Sequence, residues 1–426
     1  MTPPPTLTTA APAGERPGAF VALQHTDFRW LLLGTVLSNA AQWIQQVTLS
    51  WLVYDMTGSG ALLGSLNLAR AVATVGLAVA AGIAIDRLSR RALMLVVNAW
   101  LFAISLLLGL ALLTGATALW PLFLFTFLGG IGQALDQPLR QTAVFTLVPR
   151  AAAPNAIALV QTGWALMRSL GPALGGFLIL WASPGGNFLV QASAYALIAL
   201  TILRIRFPAR PADDARALAP GGMREGLRYV MGEPRTRAFL MMGWVLPLFI
   251  IPIFSALPPI YAKDVFGGGP QVLGALLSAV GVGGIGGGLV AAALSRVERQ
   301  GLLQLAALAL LSLALLGFGL SQHLLVSLGL LALAGFFELI HLSTNQTLLQ
   351  LSIPDALRGR VMGLVTLNAG LAPVGALVAG VGADLIGPRA ITLWLAAAAL
   401  VIAVVVSFAS STIRNYRLNE AMAVAR

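Results

Sequence analysis

The sequence predicts an all-α membrane protein: twelve transmembrane helices arranged as two pseudo-symmetric six-helix bundles. Three observations predict it. The 426 residues are 58% hydrophobic and only 10% charged, too little charge to cover a soluble globule of this size. Apolar stretches recur at lengths near the roughly 20 helical residues that cross a bilayer core. Basic residues fall overwhelmingly on one side of those stretches, as the positive-inside rule requires.

Residues 1–27 read as a disordered cytoplasmic tail, since their Pro- and Thr-rich opening has no continuous apolar core and so is no signal peptide. Spans at 30–54, 61–84, 92–114, 119–137, 155–181 and 187–206 then form an N-terminal bundle, 28–206. The first two are parted by the turn residues Asp55-Met56-Thr57-Gly58-Ser59-Gly60. The longest connection, 207–236, is rich in Pro and Arg and reads as a cytoplasmic linker. Within it, 222–231 suits a short interfacial helix with arginines towards headgroups. Spans at 237–261, 271–294, 302–320, 323–346, 361–385 and 389–411 form a C-terminal bundle, 237–411, before a cytoplasmic tail, 412–426. Membrane strands are excluded, because the runs are too long and do not alternate. A weak repeat relates the halves: Gln141-Thr142 to Val148-Pro149 closes span 4, and Gln346-Thr347 to Ile353-Pro354 closes span 10. An even number of spans separates the copies, so the halves run parallel, an architecture known among transporters.

Orientation follows from charge. With both termini inside, 22 of the 26 basic residues lie in inner segments, and the outer loops hold two, Lys263 and Arg389. The net charge of +11 therefore faces the anionic inner leaflet, and no nucleic-acid partner is needed to explain it. The chain has no cysteine and three scattered histidines, His25, His323 and His341, which exclude thiolate chemistry and give no metal cluster. Its one lysine, Lys263, precedes Asp264, so there is no Walker A loop. No cofactor and no enzymatic activity are expected, and any work done draws on an ion gradient or a partner.

The remaining basic residues, Arg70 and Arg168, lie deep in spans 2 and 5, and Glu338 lies deep in span 10. A charge at mid-bilayer costs about 2.5–3.5 kcal/mol and should face protein or a wet cavity. Glu338 is the candidate for binding and releasing a proton, with His341 one turn on; a static ion pair is the competing reading. Two deep arginines against one deep acid leave a positive excess that favours an anionic or acidic amphipathic substrate. Asn39, Gln42, Gln46 and Ser50 recur at helical spacing along span 1, beside Trp43 and Gln45, and read as cavity lining. Asn67, Gln161, Asn345 and Asn368 are weaker candidates of the same kind. Asp55, Asp136 and Asp384 sit near span ends, where solvation is expected. The pattern Gly281-Val282-Gly283-Gly284-Ile285-Gly286 is not a dinucleotide loop: it lies within an apolar span with no preceding strand, and serves close helix approach. Pro247, Pro252, Pro258 and Pro259 should bend span 7.

Between spans 2 and 3 stands Gly82-Ile83-Ala84-Ile85-Asp86-Arg87-Leu88-Ser89-Arg90-Arg91. It resembles the signature loop of the major facilitator superfamily, with Ser89 in place of a glycine. Gly171-Pro172-Ala173-Leu174-Gly175-Gly176 is similar to a motif of that superfamily's antiporters. Asp27-Phe28-Arg29, Trp51 to Ser59, Arg224 to Tyr229 and Pro354 to Met362 resemble the branch of bacterial efflux proteins that includes the enterobactin exporter, the transmembrane secretion effectors. The resemblance implies a gate in which Asp86, Arg87, Arg90 and Arg91 latch the halves near Asp355 and Arg358, with Arg140 a partner for Asp86. One departure matters: Phe125 to Gln133 in span 4 holds no arginine, so coupling through that position is unavailable.

The expectation is a monomer in the bacterial inner membrane. It would export small amphipathic molecules, drug or siderophore-like, by alternating access in exchange for protons. Lipid or lysolipid flipping and nutrient uptake fit the same residues.

Overall fold

In lipid, each backbone N–H and C=O must be satisfied within its own segment, which leaves helices as the solution for runs of this length. The structure, a computed structural model, describes residues 20–115, 118–208, 222–294, 297–354, 357, 360–362, 365, 370–414 and 416. Span 1 is Thr26–Thr57, and span 2 is Gly60–Gly76 continued, after a break at Leu77, by Ala78–Arg87. Arg90–Leu113 and Trp120–Leu147 are spans 3 and 4, and Ala153–Arg204 supplies spans 5 and 6. After a short helix, Gly222–Gly232, come span 7 (Pro234–Val265), span 8 (Pro270–Ala293), span 9 (Gln300–Leu320) and span 10 (Leu324–Leu351). Leu371–Ile386 and Pro388–Ala409 belong to spans 11 and 12. Seven of the described helices are apolar and long enough to cross a membrane on those grounds alone. Glycines with positive φ turn the chain at the tight connections: Gly58 (φ 62°) ends span 1, and Gly387 (φ 88°) joins spans 11 and 12.

Two helical bundles result. In the first, span 1 packs on the kinked helix of spans 5 and 6, which also carries span 3. In the second, span 10 packs on spans 8 and 9, and span 9 on span 12. The bundles meet along two seams, span 2 on span 11 and span 5 on span 8. Small residues set both. A methyl added at Gly176 would sit 2.3 Å from the Pro270 carbonyl, and one at Gly380 would sit 2.0 Å from the Gly60 carbonyl. The glycine motif of span 5 thus lets its backbone approach span 8, while Gly171 accommodates Trp43 of span 1.

The ends are more ordered than the tail boundaries anticipate. Val21–Gln24 forms a 3-10 turn, Ala22 is fully buried, and its N–H donates to Asn155 Oδ1 at 3.1 Å. Beyond span 12, Tyr416 is buried with its ring 5.2 Å from that of Phe239. Apolar side chains in both stretches find a packing surface that composition alone does not reveal.

Span 7 bends as its prolines require, with π-helical turns at Leu246–Ile250 and Tyr261–Val265. Spans 5 and 6 turn at Ser183, whose φ of 64° and ψ of 168° is a region that is essentially glycine-only. Replacing Ser183 by Gly should relieve that strain and stabilise the fold by about 1 kcal/mol, net of glycine's extra unfolded-state entropy. A higher thermal unfolding midpoint in detergent would confirm it; a lower one would show the turn to be unstrained.

Candidate functional site

A cavity of about 480 Å³ lies between the bundles, walled by spans 1, 2, 4 and 5 on one side and 7, 8 and 10 on the other. That size suits a drug-sized ligand. The two walls differ chemically. The first presents Asn39, Gln42, Gln46, Ser50, Asn67, Arg70, Gln133 and Arg168. The second presents Ile251, Phe254, Pro258, Pro259, Leu273, Leu277 and Leu342, with Ser255 and Glu338 as its polar members. Trp43 and Trp164 add aromatic surface to the polar wall. Helical geometry explains the span 1 stripe, because steps of three and four residues keep one face towards the cavity.

Glu338 and Arg168 join across the cavity at 2.5 Å, with side chains 3% and 13% exposed. The Arg168 guanidinium also stands 5.6 Å from the Trp164 ring centre, within cation–π range. This pair links the two bundles across the cavity. Arg70 differs. Its Nη1 donates to Gln46 Oε1, its buried Nε has no hydrogen-bond partner, and no carboxylate among the described residues pairs with it. Among the described residues no group of three or more potential metal ligands comes together.

Three anticipated residues lie elsewhere. His341 is fully buried, and its Nδ1 meets the Gln304 carbonyl at 3.0 Å, on span 9. It does not line the cavity with Glu338. Three residues advance a helix by about 300°, so the offset leaves roughly 60° between the two side chains, enough here to turn one into the bundle. Asn345 is likewise buried, accepting from Gln304 Nε2 at 2.7 Å. Gln161 is exposed and outside the cavity lining, and Asn368 lies outside the described residues.

Of the anticipated gate, Arg140, Arg90 and Arg91 are described. Arg140 donates through Nε to Asp136 Oδ2 at 2.8 Å and through Nη2 to Asn98 Oδ1 at 3.4 Å. Asp136, expected to be solvated, is 1% exposed and also accepts from Ser38 at 2.9 Å and Asn98 at 3.3 Å. One helical turn separates Asp136 and Arg140, so they satisfy each other inside the first bundle. Arg91 donates to the Leu203 carbonyl at 2.8 Å, tying span 3 to span 6 within the same bundle. Arg90 is half-buried. The side chains of Asp86 and Arg87, and the residues Asp355 and Arg358, lie outside what is described.

Sequence reasoning missed a clamp at the opposite end. Asp384, at the end of span 11, accepts from the Gly60 N–H at 2.6 Å, the Ala61 N–H at 2.9 Å and the Ser59 hydroxyl at 2.9 Å. A carboxylate from one bundle thus caps the first helix of span 2 in the other, where free N–H groups and the helix dipole favour negative charge. Tyr54 donates to Asp264, and Lys263 pairs with Asp55 at 2.7 Å, adding two more links between the bundles. The acid beside each tight turn is visible in the sequence; its partner is not. Together these contacts tie the two bundles to each other at this end.

The description of a transmembrane secretion effector matches residues 17–424, nearly the whole chain. The chain belongs to that family. Its relatives include the multidrug efflux pump Tap of Mycolicibacterium fortuitum, 28% identical and covering 89% of this chain and 94% of Tap. The staphyloferrin A transporter of Staphylococcus aureus is 24% identical, with coverage of 84% and 90%. In fold, the family member superposes on a bacterial homologue of the human lysosomal transporter Spinster in an inward-facing, unoccupied conformation. The TM-score is 0.74, with 15% identity and coverage of 92% and 98%. The fold is that of the major facilitator transporters, and the chain is a multi-pass membrane protein.

Proposed function

We propose that this protein exports small amphipathic molecules from bacterial cells by alternating access, in exchange for protons. The observation that carries this reading is the two-faced central cavity. A polar, cationic wall from one bundle meets an apolar wall from the other, and the Arg168–Glu338 pair spans the gap. Such a pocket recognises a molecule by having one polar and one oily side, and makes few shape-specific demands. Tap, an efflux pump, and the staphyloferrin A transporter support the assignment to small molecules.

The positive-inside distribution orients the clamped end outwards and both termini inwards, so the described state is inward-facing. Rocking of the bundles would open the Asp384 clamp and bring the Asp86 loop, with Arg87 and Arg90, against the start of span 11. Glu338 is the proton carrier of this scheme: protonated, it releases Arg168; ionised, it recaptures it. The protein acts as a monomer, without nucleic acid, in the inner membrane.

Cells expressing the protein should accumulate less of a labelled amphiphile than cells lacking it, and a protonophore should erase the difference. Equal accumulation across a panel of amphiphiles, or greater accumulation on expression, would overturn export. The clamp makes a separate prediction. In a Ser50→Cys background, free of native cysteine, Asp384→Ala should raise labelling by a membrane-impermeant maleimide applied outside the cell severalfold. An unchanged rate would show that the clamp does not hold the outer side shut.

A further inference from the structure

From the cavity's charge balance, we infer that its binding site is built for an amphipathic monoanion, with a carboxylate seated against Arg70 and an apolar body laid on the span 7 and span 8 wall. This rests on the export reading for the cavity's use, and goes beyond it in naming the chemistry bound.

Glu338 is already committed to Arg168, and Asp136 to Arg140. That leaves Arg70 facing the cavity with a neutral amide, Gln46, as its hydrogen-bond partner. An amide orients a guanidinium without neutralising it. Among the described residues the cavity lining therefore carries one uncompensated positive charge. Holding that charge deep in a membrane protein is unfavourable, and a bound anion relieves it while gaining charge-assisted hydrogen bonds. A cationic ligand would add to the strain. The rest of the ligand is set by the facing wall: Phe254, Leu273 and Leu277 offer carbon and no acceptor. The head-to-body distance is thus the width of the cavity, which suits a compact aromatic acid better than a long acyl chain at about 480 Å³.

The test uses the purified full-length protein in nanodiscs and three fluorescent probes with one naphthyl body, ending in a carboxylate, a primary amide or a trimethylammonium group. The wild type should bind the carboxylate roughly tenfold more tightly than the amide, and the cation most weakly. Arg70→Gln should erase the carboxylate preference, bringing acid and amide to similar affinity, and Arg70→Lys should keep part of it. If Arg70→Gln fails to fold, the wild-type ranking decides by itself. Equal binding of acid and amide, tighter binding of the cation, no binding of any probe, or a preference that survives Arg70→Gln would overturn the proposal. Stronger competition by lysophosphatidylglycerol than by the naphthyl acid would overturn the small-molecule source of the anion. Energised efflux of the amide or cation without preference for the acid would leave export standing and remove the anion site. A carboxylate preference lost in Arg70→Gln, without energised efflux, would do the reverse.

Discussion

Glu338→Gln is expected to reduce pH-gradient-driven transport in proteoliposomes to the level of protein-free vesicles, while the protein still folds in detergent. Glutamine copies the size and hydrogen bonding of a protonated glutamate but holds no exchangeable charge. It leaves Arg168 beside the Trp164 ring and in the lining of the cavity, so the effect on stability should be modest. Arg168→Ala is not equivalent. It strands an ionised Glu338, 3% exposed, and removing one partner of a buried pair costs about 3–5 kcal/mol. The comparison separates coupling from scaffolding. If the pair only holds spans 5 and 10 together, Glu338→Gln/Arg168→Gln, which keeps a neutral hydrogen bond, should transport as the wild type does. Undiminished proton-driven transport in that double variant, or in Glu338→Gln alone, would remove Glu338 from the mechanism.

A loss of stability as large as that of Arg168→Ala should come from Asp136→Ala. Arg140 is 5% exposed, and Asp136 supplies its only carboxylate among the described residues. Without it, a guanidinium is left buried among Ser38, Asn98 and apolar neighbours, a loss of about 3–5 kcal/mol. Thermal unfolding in detergent should show a markedly lower midpoint. The compensated variant Asp136→Leu/Arg140→Met should recover most of it, because a well-packed apolar pair avoids the desolvation penalty of both charges. A single variant as stable as the wild type would mean that water reaches Arg140.

These two ion pairs mark where reading the chain stops being sufficient. The depth of Arg70, Arg168 and Glu338 was legible, since an ionisable group in the middle of an apolar run is conspicuous. So was the span 1 stripe, because its face follows from helical periodicity. The pairing was not: Arg168 and Glu338 stand 170 residues apart, and nothing local distinguishes that match from Arg70 with Glu338. Asp136 was misread because nearness to a span's end in sequence does not measure its distance from water. His341 was misplaced because three residues fall short of a full helical turn. Asp384 was passed over because its partners are backbone N–H groups, which every residue but proline carries.

The sequence by itself determined that the chain is an all-helical membrane protein and which of its helices carry charge into an apolar run. These properties depend on local composition and on the cost of burying polar groups in oil, which each segment meets on its own. The tertiary structure decided which charges neutralise each other among the described residues, which of those described lacks a carboxylate, and where the bundles are tied together. Those depend on distances between segments remote in the chain, set by glycine contacts at two seams that no single helix encodes.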